Sequence, residues 1–237
     1  MKKILLITVI SLTMAQNPSN EKLKLELNNA IENINSKKFS TAISRIDKND
    51  FSNSEFFNHA LIIKMKAFHG NGDLKGALNI RKDINIGILT PNLKTIYSIE
   101  MGDIFSEMGF FDKSFEYYLI ANNANIDKKS ERRINQRIKK MVRMELNEQQ
   151  IGSLLLTEND VKNINILKLA QSFSMARNNS NNLNDVFKSI DYSLLPRELR
   201  SSYRYLDKNI SSNNSFGKKM GVVLPLSGEN SDEAKSF

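Results

Sequence analysis

The chain of 237 residues has no cysteine, no tryptophan, two histidines, four prolines and ten glycines. Without cysteine there is no disulfide scaffold, no CxxC redox pair, no thiol nucleophile and no Cys-ligated zinc. Two histidines leave little room for Ser-His-Asp chemistry. No Walker A, GxGxxG or GxSxG pattern is present. Strand-like alternation is missing until Val222. What is there is ordinary globular material, 40% hydrophobic and 25% charged. Lys and Arg number 34 against 26 Asp and Glu, a net charge of +8. Asparagine is abundant at 30 residues. It is scattered through amphipathic segments, which fits an AT-rich coding bias and not a prion-like tract.

The first fifteen residues read as a secretory signal peptide. Met1-Lys2-Lys3 is a positive n-region and Ile4–Met14 an apolar run of eleven residues, too short for a membrane span of about 20. Thr13 and Ala15 place small residues at −3 and −1 of a cut before Gln16. Cleavage removes Lys2 and Lys3 and leaves +6. The localisation expected is exported and periplasmic. With no cysteine at the cut, acylation as a lipoprotein is not expected.

From Glu21 to about Leu206 apolar residues recur at roughly helical spacing, as in Leu23, Leu25, Leu27, Ala30, Ile31 and Ile34. Ser52-x-x-Glu55 reads as a capping box, with Phe51 and Phe56 as its hydrophobic staple. Thr90-Pro91 reads as an N-cap followed by proline at N1. Thr157 precedes Glu158 and Asp160, acids suited to a helix N-terminus. The fold class expected is all-α, a helical-hairpin solenoid, with one C-terminal β-strand opening an incomplete α/β domain.

The segment from Met101 to Ala121 resembles a tetratricopeptide repeat. Gly102 is the small residue of the first helix and Phe105 its large knob. Gly109 ends that helix, Ser114 stands at the crossing point where alanine is usual, and Tyr118 and Ala121 continue the buried face. Phe68, Gly72, Leu74 and Ala77 follow the same template, with Met65 in place of the small residue and Arg81 in place of the second-helix aromatic. Ala30, Phe39, Ala42 and Ile46 form an earlier unit. The crossing residues Ala42, Ala77 and Ser114 are 35 and 37 apart, against an ideal 34. Ala170 and Phe173 begin a further unit, and Glu145–Ile151 is an irregular helical step between.

Asn209–Asn214 has linker composition, and Gly221–Gly228 (Gly-Val-Val-Leu-Pro-Leu-Ser-Gly) reads as a buried strand and turn. That strand is similar to the opening strand of type I periplasmic-binding-protein domains. The order of signal peptide, helical repeats and this strand resembles the LpoA-like penicillin-binding-protein activators. The division expected is a signal peptide over 1–15, a repeat domain over 16–208, a linker over 209–217 and the start of a truncated binding-protein-like domain over 218–237. The resemblance implies a non-enzymatic envelope protein that activates or organises peptidoglycan synthesis by contacting a penicillin-binding protein. A solute-binding component of a transport system, or a generic repeat scaffold, stays open beside it.

No catalytic pair, cofactor site or metal site is expected. His59 and His69, ten apart on one helix, face different directions and read as surface or interface residues. Candidate partner-binding residues are Phe110 and Tyr117 on the concave face and Arg132, Arg133 and Arg137 on a basic helix. Lys128–Arg143 carries eight cations against Glu131, with Ile134, Ile138 and Met141 as an apolar face. It reads either as the solvated outer face of a repeat helix or as a patch for anionic lipid, anionic wall polymer or an acidic protein, with no nucleic acid expected. Ala42, Ala77, Gly102 and Ser114 are the residues expected to pack the repeats.

Overall fold

The computed structural model describes residues 18–124 and 127–211, and the molecule is all-α, with eleven α-helices and no strand among the described residues. The expected signal peptide and the strand at 221–228 lie outside the described residues. The chain divides into two units, residues 1–127 and 128–237.

The first unit is three consecutive helix pairs. They are α1 (Pro18–Asn35) with α2 (Phe39–Asp47), α3 (Phe57–Gly70) with α4 (Leu74–Arg81), and α5 (Pro91–Glu107) with α6 (Phe111–Asn122). Helix α3 also packs on α1, α2 and α5. Its two sides are therefore both apolar. Ala60, Ile63 and Ala67 join the core of Leu27, Ala30, Ala42 and Ile46, while Ile62 and Met65 join that of Ala77, Tyr97, Met101 and Ile104. Each fully buried Ile or Met there contributes about 1.5–3 kcal/mol. Two ion pairs reinforce this packing: Arg45 with Glu26 at 2.6 Å, between α2 and α1, and Lys64 with Asp47 at 2.5 Å, between α3 and α2.

The third pair carries the closest approach. Gly102 is buried, and a Cβ built on it falls 2.7 Å from the Tyr118 ring. Ser114 Oγ donates to the Gly102 carbonyl oxygen at 2.7 Å, and the Tyr118 hydroxyl donates to Asp103 Oδ1 at 2.5 Å. The hydroxyl of Ser114 thus has its own buried acceptor. Ala42, Ala77 and Ser114 are all fully buried.

The turns within the pairs repeat one backbone device. Lys37, Gly72 and Gly109 take positive φ of 58°, 81° and 80°. The next residue then donates to a carbonyl five positions back, as a Schellman motif requires. The bonds are Lys38 to Asn33 at 2.7 Å, Asp73 to Phe68 at 2.9 Å and Phe110 to Phe105 at 2.9 Å. At Thr90 the expected cap is present, accepting from Leu93 N with Pro91 behind it. At Ser52 the expected capping box is absent. Asp50 captures both the backbone and the hydroxyl of Ser52, so the chain makes a turn and α3 begins only at Phe57.

The second unit contains α7 (Lys128–Lys140), a π-helical turn (Met141–Glu145), α8 (Glu148–Thr157), α9 (Val161–Arg177), α10 (Leu183–Lys188) and α11 (Arg197–Ser211). Helix α9 is central. The π turn, α8 and α10 all pack on it, and α11 packs on α7. The expected irregular step at Glu145–Ile151 is the end of the π turn followed by a capping box, in which Asn147 Oδ1 accepts from Gln150 N at 2.9 Å and Gln150 Oε1 from Asn147 N at 3.1 Å. Arg177 fastens this step, donating to the carbonyls of Arg143 and Leu146 at 2.6 and 2.9 Å. Of the acids after Thr157, Asp160 is the N-cap of α9. Helix α11 continues to Ser211, through the first residues of the expected linker.

The five-back bond recurs here from Leu146 to Met141 at 3.2 Å and from Ser180 to Met175 at 3.0 Å. At Ser180 the preceding Asn179 has a φ of 53°. Counted over both units, the donors are residues 38, 73, 110, 146 and 180, at steps of 35, 37, 36 and 34.

Two helix glycines separate packing from propensity. Gly102→Ala forces the new methyl against Tyr118 and should cost about 1–3 kcal/mol. Gly152→Ala meets open space in α8 and should stabilise by up to about 1 kcal/mol. Thermal unfolding of the two variants, moving in opposite directions, checks the α5–α6 crossing.

Candidate partner-binding groove

Tyr97 and Phe105 of α5, with Phe110 and Tyr117 at the start of and along α6, gather on one face of the third helix pair. Tyr117 stacks on Phe105 with ring centroids 5.7 Å apart, and meets Tyr97 edge-on at 6.0 Å. Phe110 extends the row edge-on to Phe105 at 6.3 Å and is 47% exposed. These rings lie together because Tyr97 and Phe105 are two turns apart on α5, and Tyr117 projects from the partner helix.

Tyr97, Phe105 and Tyr117 form one side of an open groove of about 430 Å³, whose other lining residues include Arg81, Ile86, Lys94, Lys113, Glu116 and Ile120. Arg81 holds its edge. Its Nε donates to the Tyr97 hydroxyl at 3.3 Å and its Nη2 to the Tyr117 hydroxyl at 3.4 Å. The hydrogen bond to Tyr97 raises Arg81 above its ordinary value. Burial, with help from the Tyr117 hydroxyl, pushes Tyr97 up to about 12, so it is a neutral phenol at any physiological pH. Lys113 Nζ sits 5.6 Å from the centroids of both Phe105 and Phe110, in cation–π range. Of the two aromatic candidates, Tyr117 lines the groove and Phe110 borders it. Arg81, which replaces the expected aromatic, is a groove residue that sequence reasoning did not single out. Its partners are 16 and 36 positions away.

His69 forms a second cluster in the same unit. Its Nδ1 lies 2.5 Å from Glu100 Oε1 and its Nε2 lies 3.1 Å from Glu107 Oε1, tying α3 to α5. Only the imidazolium donates from both nitrogens at once. The hydrogen bond to Glu100 raises its pKa to about 9, against desolvation and with the charge of both glutamates helping. The two carboxylates flank opposite ring nitrogens and do not converge on one point. Among the described residues no group of three or more His, Asp or Glu could hold a metal ion. His59 is pushed below its ordinary value by burial.

In the second unit, Arg132, Arg133 and Arg137 are exposed on α7, while Ile134 and Ile138 are buried on its other side, as is Met141 at the start of the π turn. Lys140 pairs with Glu145 at 2.5 Å, and Lys139 donates to Ser201 Oγ of α11 at 2.9 Å. The helix is therefore amphipathic as its sequence requires, with one face in the core and a cationic face outward. No described helix is long and apolar enough to cross a membrane.

Comparison of the chain with protein-family models, with curated proteins and with solved structures returned no match.

The His69 clip has a definite pH signature. Its folded pKa of about 9 exceeds the unfolded value near 6.5. The stabilisation is fully present below pH 6.5 and is lost as pH rises through 9, with a ceiling of about 3 kcal/mol. Denaturant unfolding at pH 6 and pH 9.5 should show this loss in the native chain and little of it in His69→Asn, which starts lower at pH 6.

Proposed function

We propose that this protein is an exported, non-enzymatic helical-repeat adaptor. It contacts a penicillin-binding protein in the cell envelope and so activates or organises peptidoglycan synthesis. Its fold on this reading is a tetratricopeptide-like solenoid. The observation that carries the repeat reading is the backbone bond recurring at steps of 35, 37, 36 and 34 residues, close to the 34-residue tetratricopeptide period. The starts of α1, α3, α5, α7, α9 and α11 follow a similar step. The small buried residues Ala42, Ala77 and Ser114, one on the second helix of each pair of the first unit, also support it.

The envelope role rests on the order of sequence features, namely a signal peptide, repeats, then a strand of periplasmic-binding-protein type. The adaptor role rests on the groove and the basic helix. Helical repeats present side chains along an extended face, and such faces bind segments of other proteins. A repeat fold by itself does not fix function, so the groove residues carry the specific part of the reading.

Photo-crosslinking in native envelopes tests it. A crosslinker at position 117 or 110 should capture a penicillin-binding protein, and Tyr117→Ala should reduce its co-purification with the full chain several-fold. Arg132→Glu, Arg133→Glu and Arg137→Glu together should weaken capture further at low salt than at high salt if the basic helix shares the contact. Capture of no wall-synthesis enzyme from either surface would refute the envelope role. A small solute retained through purification, with no captured protein, would instead favour the transport reading.

A further inference from the structure

We infer that the outer face shared by α7 and α11 docks on a lipid bilayer carrying anionic head groups. The inference concerns the second unit alone and does not rest on the groove of the first.

The first ground is where the charge lies. Residues 18–127 carry 13 Lys and Arg against 14 Asp and Glu, whereas residues 128–211 carry 16 against 9. The positive charge of the described residues therefore belongs to the second unit. Helices α7 and α11 hold 11 of those 16 cations, with Glu131, Glu198 and Asp207 as their acids. Arg132, Arg133 and Arg137 are exposed on α7. On α11, Arg197, Arg204 and Lys208 are exposed at i, i+7 and i+11, which is one side of a helix. Leu199, Ser202 and Leu206 are buried on its opposite side.

The second ground is that the two cationic sides form one surface. Lys139 Nζ donates to Ser201 Oγ at 2.9 Å. Four residues further along each segment, the Arg143 guanidinium lies 5.3 Å from the centroid of the Tyr205 ring. Equal steps along both segments set α7 and α11 side by side and running the same way. Each turns its apolar side to the core, so the cationic sides face outward next to each other. Cations gathered on one open face favour an extended anionic surface.

The third ground selects a bilayer. Next to Arg143, Met144 is 74% exposed, and Tyr205 under the guanidinium is 49% exposed. A bilayer interface takes up a tyrosine and a methionine together with the cations around them. A linear phosphate polymer would meet the cations and leave Met144 in water. Ile134, Ile138, Leu199 and Leu206 are committed to the core. The contact is therefore peripheral, made by charge and these two side chains without insertion of a helix.

Co-sedimentation of the full chain with vesicles tests it. Vesicles of equal parts phosphatidylglycerol and phosphatidylcholine should bind the chain about tenfold tighter than phosphatidylcholine alone. Raising NaCl from about 0.1 M to about 0.5 M should release it. Arg132→Glu, Arg133→Glu and Arg137→Glu together should weaken binding about tenfold, and so should Arg197→Glu, Arg204→Glu and Lys208→Glu together. All six side chains are exposed, and an unchanged melting temperature shows that the variants fold. Arg204→Gln with Lys208→Gln is a milder change that should weaken binding several-fold even if the triple reversal unfolds α11. The chain has no cysteine, so Met144→Cys carries a single polarity-sensitive fluorophore. Its emission should shift to the blue on anionic vesicles and stay unchanged with heparin. Equal binding to neutral vesicles, binding that survives charge reversal on either helix, or an unshifted label on sedimented vesicles would overturn the inference. Binding to heparin with none to vesicles would also overturn it and assign the face to a polymer. Crosslinking at position 117 reads the groove alone, so failure of either proposal is seen separately from the other.

Discussion

The structure of the first unit depends on how closely two helices of a pair can cross. At Gly102 the absence of a Cβ lets the Tyr118 ring lie against the α5 backbone, and this brings Ser114 Oγ to the Gly102 carbonyl and the Tyr118 hydroxyl to Asp103. Two buried polar groups are satisfied by the same approach that buries the ring, so neither carries the cost of an orphaned donor. The groove follows from this crossing. With α6 held against α5 at this depth, Tyr117, the residue before Tyr118, reaches Phe105 and Tyr97. Arg81 of α4 then bridges their hydroxyls.

The other two helix pairs of the first unit pack without such a tie. Ala42 of α2 and Ala77 of α4 are buried as deeply as Ser114 of α6, but neither offers a side-chain hydrogen bond. The second pair gains a polar tie elsewhere, where His69 spans Glu100 and Glu107 and joins α3 to α5. In the second unit the step is kept but the device changes. The five-back bond at Leu146 closes a π-helical turn instead of following a left-handed residue, and Arg177 and the Asn147 capping box hold that turn in place.

Much of this was legible in the sequence. Gly109 and Gly72 mark turns because only glycine takes positive φ without strain, and both do so here. Pro91 after Thr90 fixed a helix start for the same kind of local reason. The Ser52-x-x-Glu55 pattern misled because Asp50, two residues earlier, competes for the Ser52 amide with an Asx turn. The working capping box at Asn147-x-x-Gln150 uses asparagine and glutamine in place of the commoner serine and glutamate. Arg81, His69 and their partners were not legible, because each joins residues 16 or more apart in the chain and depends on the packing of whole helices. The basic helix at Arg132–Arg137 was legible in outline, since a single helix's pattern fixes which face is buried.

One backbone step recurs at near-constant intervals in both units. Amide hydrogen exchange at residues 38, 73, 110, 146 and 180 measures it directly, because each of these amides lies outside the regular α-helices yet donates to a carbonyl five positions back. The account predicts that all five exchange at least a hundredfold more slowly than unstructured amides, rising and falling with the stability of their own unit. Exchange at the unstructured rate at Leu146 or Ser180, with protection at the other three, would confine the repeat to the first unit and contradict it.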